Sequence, residues 1–219
     1  MPASRTRSGL ALAAAAAVLL AGSATAAPKK KPAPKPKPVA PVCNLINDEK
    51  GDAKFEGQVT AHPSFDIITG DLATDGKNVT GVLRMDGNPA GGNPEAIGSS
   101  RYYLKFSVPG AEKEQYLGAI VPFTGAASFR TGQVTPNSDG TITYTNDTEP
   151  VTGSIKANII TISAPLAAFS ARAVIKPGQK LGLSAETFSL VGVLLVGADD
   201  AAGKAYIAGN PSCVKPGVV

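Results

Sequence analysis

Tryptophan is absent from these 219 residues, histidine occurs once, and cysteine and methionine occur twice each. Each scarcity excludes something. Without tryptophan, and with aromatics at only 5%, the chain has few flat platforms of the kind that stack on sugar rings. His62 is the only histidine, so any Ser/His/Asp or Cys/His catalysis would have to pass through it. It precedes Pro63 in a loop-like segment and reads as an exposed or locally bonded side chain. No G-x-S-x-G segment occurs, nor a phosphate-cradling glycine loop, nor the spacing of a zinc site. No haem or nucleotide cofactor is expected. Long stretches of 3.6-residue periodicity are missing too, which leaves little room for helix.

The first 42 residues contain no Asp or Glu. They hold seven of the 21 basic residues, so residues 43–219 carry 14 basic against 17 acidic side chains, a net charge of −3. The formal charge of +4 therefore belongs to the leading segment, and the remainder does not suit a nucleic-acid partner. Arg5 and Arg7 precede an uncharged apolar run from Leu10 to Leu20, and Ala24-Thr25-Ala26 supplies small residues at the positions a signal peptidase reads. Residues 1–26 thus read as a secretory signal peptide. An uncleaved anchor is the alternative, although alanine makes the run a poor permanent span. Ser23 stands where a lipoprotein would need cysteine. The expected address is secreted and extracellular, with cell-wall association, and no stable membrane insertion after cleavage.

Residues 27–42 form a spacer. Pro28 to Pro41 holds six prolines and five lysines, which rules out helix and sheet and favours polyproline II. Its lysines would be drawn to anionic cell-wall polymers or lipid headgroups; the alternative is a solvated spacer with no partner. Residues 43–219 suit one domain. Cys43 and Cys213 lie near its two ends, and in an exported chain they are expected to form a disulfide.

Alternation with period two runs through this domain. Tyr102, Leu104 and Phe106 share one face; Leu181, Leu183 and Ala185 share another; Val79, Leu83 and Met85 lie opposite Thr80 and Arg84. Leu117–Val121 and Leu190–Val196 are apolar on both faces and read as central or doubly covered strands. Asp75-Gly76 signals a hairpin, Asp139-Gly140 precedes a strand at 141–145, and residues 86–100 form a long loop. Short helices are expected near 165–171 and 199–205. The count is eight to ten strands. The fold class is all-β, an antiparallel β-sandwich of jelly-roll or immunoglobulin-like topology with very little helix.

Asp48-Glu49-Lys50-Gly51-Asp52, then Phe65-Asp66-Ile67, then a strand ending at Asp75-Gly76, resembles the opening of bacterial secreted β-sandwich domains similar to the family-9 carbohydrate-binding modules and the DOMON-like superfamily. Glu49 stands where proline is usual. The resemblance covers mainly residues 43–85. Ile160–Pro165 and Ala198-Asp199-Asp200-Ala201 look like later parts of the same pattern. It implies a jelly-roll-like sandwich, often with structural calcium and sometimes with sugar or haem. Ligands differ across such a superfamily, so fold alone leaves function open.

Three candidate chemistries follow. Calcium takes six to eight oxygens from carboxylates and irregular backbone. Asp48, Asp52 and Asp66 suit that need, and the disulfide would bring Asp199 and Asp200 to join them. Asp48 and Asp52 also suit plain turn formation. A glycan would need aromatic faces, for which Tyr103, Tyr116 and Tyr144 are the candidates; cross-strand packing is their ordinary use. A hydrolase would need paired carboxylates, and the glutamates are scattered. The leading expectation is a non-enzymatic binding or cell-surface accessory protein, stabilised by calcium. A carbohydrate-binding module comes next, and a small secreted hydrolase last.

Overall fold

The computed structural model describes residues 38–55, 59–91 and 98–214. The segment expected to be a signal peptide, residues 1–26, and most of the expected spacer lie outside these residues. Fourteen strands follow one another: β1 (Ile46–Asn47), β2 (Lys54–Phe55), β3 (Val59–Thr60), β4 (Ile67–Thr74), β5 (Asn78–Met85), β6 (Ser99–Ser107), β7 (Gln115–Pro122), β8 (Ser128–Pro136), β9 (Ile142–Asn146), β10 (Thr152–Lys156), β11 (Ile159–Pro165), β12 (Lys180–Val191), β13 (Leu194–Ala202) and β14 (Tyr206–Ile207). The helical turns described are short 3-10 pieces, at Pro63–Phe65, Pro89–Gly91 and Leu166–Ala168.

Two antiparallel sheets build the sandwich. One has the order β1-β4-β5-β11-β10. The other runs β13-β12-β6-β7-β8-β9, with β14 paired to the start of β12. The alternating apolar faces meet between them. Leu83, Ile160 and Ile162 of the first sheet share one cluster with Tyr102, Leu104, Phe106, Leu117, Leu181 and Leu183 of the second. The approach is close at Gly81, where a Cβ would lie 2.4 Å from a Leu104 methyl. The β4–β5 hairpin turns at Asp75-Gly76 as its sequence signals. Gly76 has φ +83°, and Asp75 Oδ1 accepts from the Lys77 and Asn78 amides at 2.9 and 2.7 Å.

The seven-stranded sheet curls back on itself. Tyr144 of β9 stacks on Tyr103 of β6 with ring centres 3.9 Å apart, although β7 and β8 separate those strands in the sheet. Gly132 permits the bend, because a Cβ there would sit 1.7 Å from the Thr145 carbonyl. The curl buries a second cluster on the sheet's outer face, made of Tyr103, Tyr116 and Val134 with Tyr144 and Phe188 against it. Leu117–Val121 is thus covered on both faces, as its composition predicts.

Three expectations differ from the structure. The described residues hold fourteen strands rather than eight to ten, because β1, β2, β3 and β14 are two-residue pairings too short to show alternation. Leu190–Val196 is not one buried strand: β12 ends at Val191, turns at Gly192-Val193, and β13 begins at Leu194. Gly192, at φ +63°, supplies the turn in the middle of an apolar run. Residues 199–205 are not helical either. Asp199 and Asp200 pair with Thr187 and Glu186 of β12, and this ladder overrides the helix preference of an alanine-rich stretch.

Cys43 and Cys213 are joined, with their Cα atoms 5.0 Å apart across 170 residues of sequence. A parallel bridge between Val42 and Ser212 lies beside them. The chain's first and last described segments are therefore fixed side by side, which positions the acidic residues near each end.

Candidate metal centre

Three segments converge at one edge of the sandwich. The loop after β1 carries Asp48 and Asp52. It is anchored by the Asp48 amide donating to the Ile68 carbonyl at 3.1 Å, and it turns at Gly51, φ +86°. The 3-10 turn Pro63–Phe65 delivers Asp66 to the start of β4. His62 caps that turn, its Nδ1 accepting from the Ser64 amide at 3.2 Å, which is the locally bonded role its sequence context suggests. On β13 the pairing slips between Asp199 and Gly197, so Ala198 is a bulge residue. A bulge re-aims the side chains beside it. Ala198 packs with Ala53, Ala61, Phe65 and Phe55 in a small apolar cluster that backs the site.

Asp48, Asp52 and Asp199 each present a carboxylate oxygen within 4.8 Å of the other two. Asp66 stands beside them. It is only 2% exposed, and its Oδ2 accepts from the Gly51 amide at 2.6 Å, inside the very loop that carries Asp48 and Asp52. Asp199 Oδ2 accepts from the Ile67 amide at 2.7 Å. Among the described residues, Asp66 Oδ1 and Asp48 Oδ2 are buried without a hydrogen-bond partner. Asp200, the fifth candidate, is exposed and lies on the wall of the adjoining groove. Of the five, three thus come together, one braces their loop, and one faces outward. Among the described residues no Lys or Arg pairs with any of the five; Lys50 pairs instead with Asp86 at 2.6 Å.

The electrostatics follow first from burial and then from the mutual repulsion of these carboxylates. Burial raises the carboxyls of Asp48 and Asp66 above the usual carboxylate range, and neighbouring carboxylates add to the effect. Asp199 is pushed up to about 7, first by burial and then by Asp48, Asp52 and Asp66, against the lowering influence of the Ile67 amide. An unfolded aspartate titrates near 3.8, so the folded protein binds this proton more tightly. The resulting stability is complete below that value and is lost as pH rises towards 7. In chelator, stability should therefore fall between pH 5 and pH 8 by on the order of 2 kcal/mol once solvent screening of the half-buried group is allowed for, and the melting midpoint should fall with it. Asp199→Asn should flatten the dependence. A midpoint that climbs over this range would contradict the cluster's electrostatics.

Beside the cluster runs a groove of about 610 Å³, lined by Asp52, Phe55, Ile142, Glu186, Phe188 and Asp199 among others. The tyrosines singled out from sequence contribute mainly to its support. Tyr103 is 2% exposed and Tyr116 is 0% exposed. Tyr103 and Tyr144 spend ring faces on each other, and the Tyr144 hydroxyl donates to Glu186. Burial holds all three phenols above their usual range. Glu186 also accepts from Lys105, which is 7% exposed. Sequence reasoning missed Glu186 and Phe188 as groove residues. The available signal was their alternation on β12 opposite the buried Ala185 and Thr187.

No family model matches the chain, and no curated protein matches it significantly.

Proposed function

We propose that this protein is an exported, non-enzymatic β-sandwich of the binding or cell-surface accessory kind, stabilised by one calcium ion at Asp48, Asp52 and Asp199. The resemblance of residues 43–85 to secreted β-sandwich domains belongs to the same proposal. One observation carries it: among the described residues two buried carboxylate oxygens, on Asp48 and Asp66, have no hydrogen-bond partner, while three carboxylates crowd together with no Lys or Arg paired to them. Buried unpaired charge is costly, and like charges at this spacing repel by on the order of 1 kcal/mol per pair or more. A hard divalent cation turns that repulsion into cross-linking, and an all-oxygen donor set on an irregular loop suits calcium. Asp66 would supply a further oxygen through Oδ1. The ion would tie the loop after β1 to β13, a structural role at the covalently closed end of the domain. The export half of the reading rests on the leader sequence.

Calorimetric titration of the exported protein with calcium tests the site. One calcium per chain is expected, with binding lost in Asp199→Asn and Asp52→Ala. Absence of calcium binding in the folded wild type would reject the proposal.

A further inference from the structure

The curl of the second sheet leaves one edge of β9 unpaired. Among the described residues β9 pairs with β8 alone. The Asn137 amide donates to the Thr141 carbonyl and the Asp147 amide to the Thr131 carbonyl, each at 2.8 Å. Antiparallel pairing alternates along a strand. Residues 141, 143, 145 and 147 therefore aim their backbone at β8, and Ile142, Tyr144 and Asn146 aim theirs away from it. Natural sheets guard such an edge with lysine, proline, charge or a bulge. β13, at the opposite end of the sheet, has Asp199, Asp200 and the bulge at Ala198. β10, an edge of the first sheet, ends in Lys156. Thr141 to Asn146 holds no charged residue and no proline. Its threonines, isoleucine and tyrosine are strong strand formers, and an unguarded edge of this kind invites a further strand.

That edge overlooks a groove. The hollow of about 610 Å³ beside the acidic cluster shares Ile142 and Phe188 with a second of about 420 Å³, lined also by Tyr144, Leu194 and Leu195. Together they follow β13 from Leu194 to Asp200, roughly 20 Å of strand. The two ends differ in chemistry. Ile142, 38% exposed, and Leu194, 67% exposed, make one end apolar. Asp52, Asp199 and Asp200 outnumber Lys54 at the other. Gly197 leaves a dip in the floor, since a Cβ there would meet only the Phe188 ring, at 3.9 Å. A single extended segment suits such a place: its backbone pairs with the β9 edge, and alternate side chains face the floor. A second copy would have to bring β8 along with its own β9 into a groove that β13 bounds.

We propose that this groove takes an extended peptide segment of another protein, added as a strand to the free edge of β9, with apolar side chains towards Ile142 and Leu194 and a lysine or arginine towards Asp200. The inference rests on the binding-protein reading. Its titration is run in chelator and in calcium alike, so its failure would leave the metal site standing. The probe is a fluorescently labelled peptide, acetyl-Val-Thr-Val-Thr-Val-Lys-Lys-amide, followed by anisotropy and by amide NMR spectra of the protein. Wild type should bind it, and the Ile142, Tyr144 and Asn146 amide signals should shift. N-methylation of one alternate set of peptide amides should weaken binding at least tenfold, since lost hydrogen bonds cost about 1 kcal/mol each. Gly197→Leu fills the floor and should weaken binding by a similar factor with an unchanged melting midpoint. Asp200→Lys should weaken it by a smaller one. Failure of wild type to bind would overturn the proposal, as would equal binding of the peptide with either set N-methylated, which would rule out strand pairing. Cellohexaose that shifts these amides where the peptide does not would assign the groove to a glycan. Sedimentation velocity supplies the last opposing outcome: a wild-type dimer that Ile142→Pro dissociates would assign the edge to self-association. Proline there removes an outward N–H and spares the ladder with β8.

Discussion

Reduction of the Cys43–Cys213 bridge should lower the melting midpoint by roughly 10–20 °C, the largest effect expected of any single change. The bridge closes a loop spanning 170 residues of sequence, and for a loop of that size the chain-entropy account gives about 5 kcal/mol of stabilisation. The local structure adds to the loss. Val42 bridges Ser212 beside the disulfide, and the Cys213 carbonyl accepts from Arg84 at 3.1 Å. Cutting the bond frees both ends, and with them the loop that holds Asp48 and Asp52. Cys43→Ser/Cys213→Ser should melt like the reduced wild type and bind calcium more weakly. Identical melts with and without reductant would show that the bridge contributes nothing.

Arg84→Met should cost about 3–5 kcal/mol, because it strands a buried charge. Asp71 is 0% exposed; its Oδ1 accepts from the Leu45 amide at 3.2 Å and its Oδ2 from Arg84 Nη1 at 2.7 Å. The guanidinium spans from there to the Cys213 carbonyl, so one side chain links β4, β5 and both ends of the domain. Asp71→Asn/Arg84→Met should lose less than Arg84→Met alone. Asparagine still accepts from the Leu45 amide and carries no charge. Chemical denaturation of the two variants beside wild type decides it. If the double variant is the less stable one, the stranded charge is not the cause.

The alternation of Tyr102, Leu104 and Phe106, and of Leu181, Leu183 and Ala185, made the sandwich legible in the sequence. A half-buried strand has a period of two, and each of these residues lies in the core. The disulfide was legible from two cysteines near the two ends of a domain whose leader reads as an export signal. The acidic centre was legible in part. The spacing of Asp48 and Asp52 in one loop is local, and the disulfide argument correctly drew Asp199 towards them. The distinct place of Asp66 was not, since it depends on a 3-10 turn and a hydrogen bond to Gly51. Nor was the separation of Asp199 from Asp200, which depends on the bulge at Ala198. The curl that stacks Tyr144 on Tyr103 and assembles Lys105, Glu186 and Tyr144 is non-local, and no periodicity within β9 announces it. The turn at Gly192-Val193 was hidden because its flanks are as apolar as a buried strand.

A thermal melt in chelator, repeated with millimolar calcium, tests the metal centre most directly. Calcium at a hundredfold excess over its dissociation constant should add about 2.7 kcal/mol, which for a domain of this size is a rise of roughly 5–10 °C. Asp52→Ala, Asp66→Ala and Asp199→Asn should each remain folded and lose the rise. A midpoint that neither chelator nor calcium moves would contradict the account, and Asp48, Asp52 and Asp199 would then be an acidic surface cluster with no ion to bind.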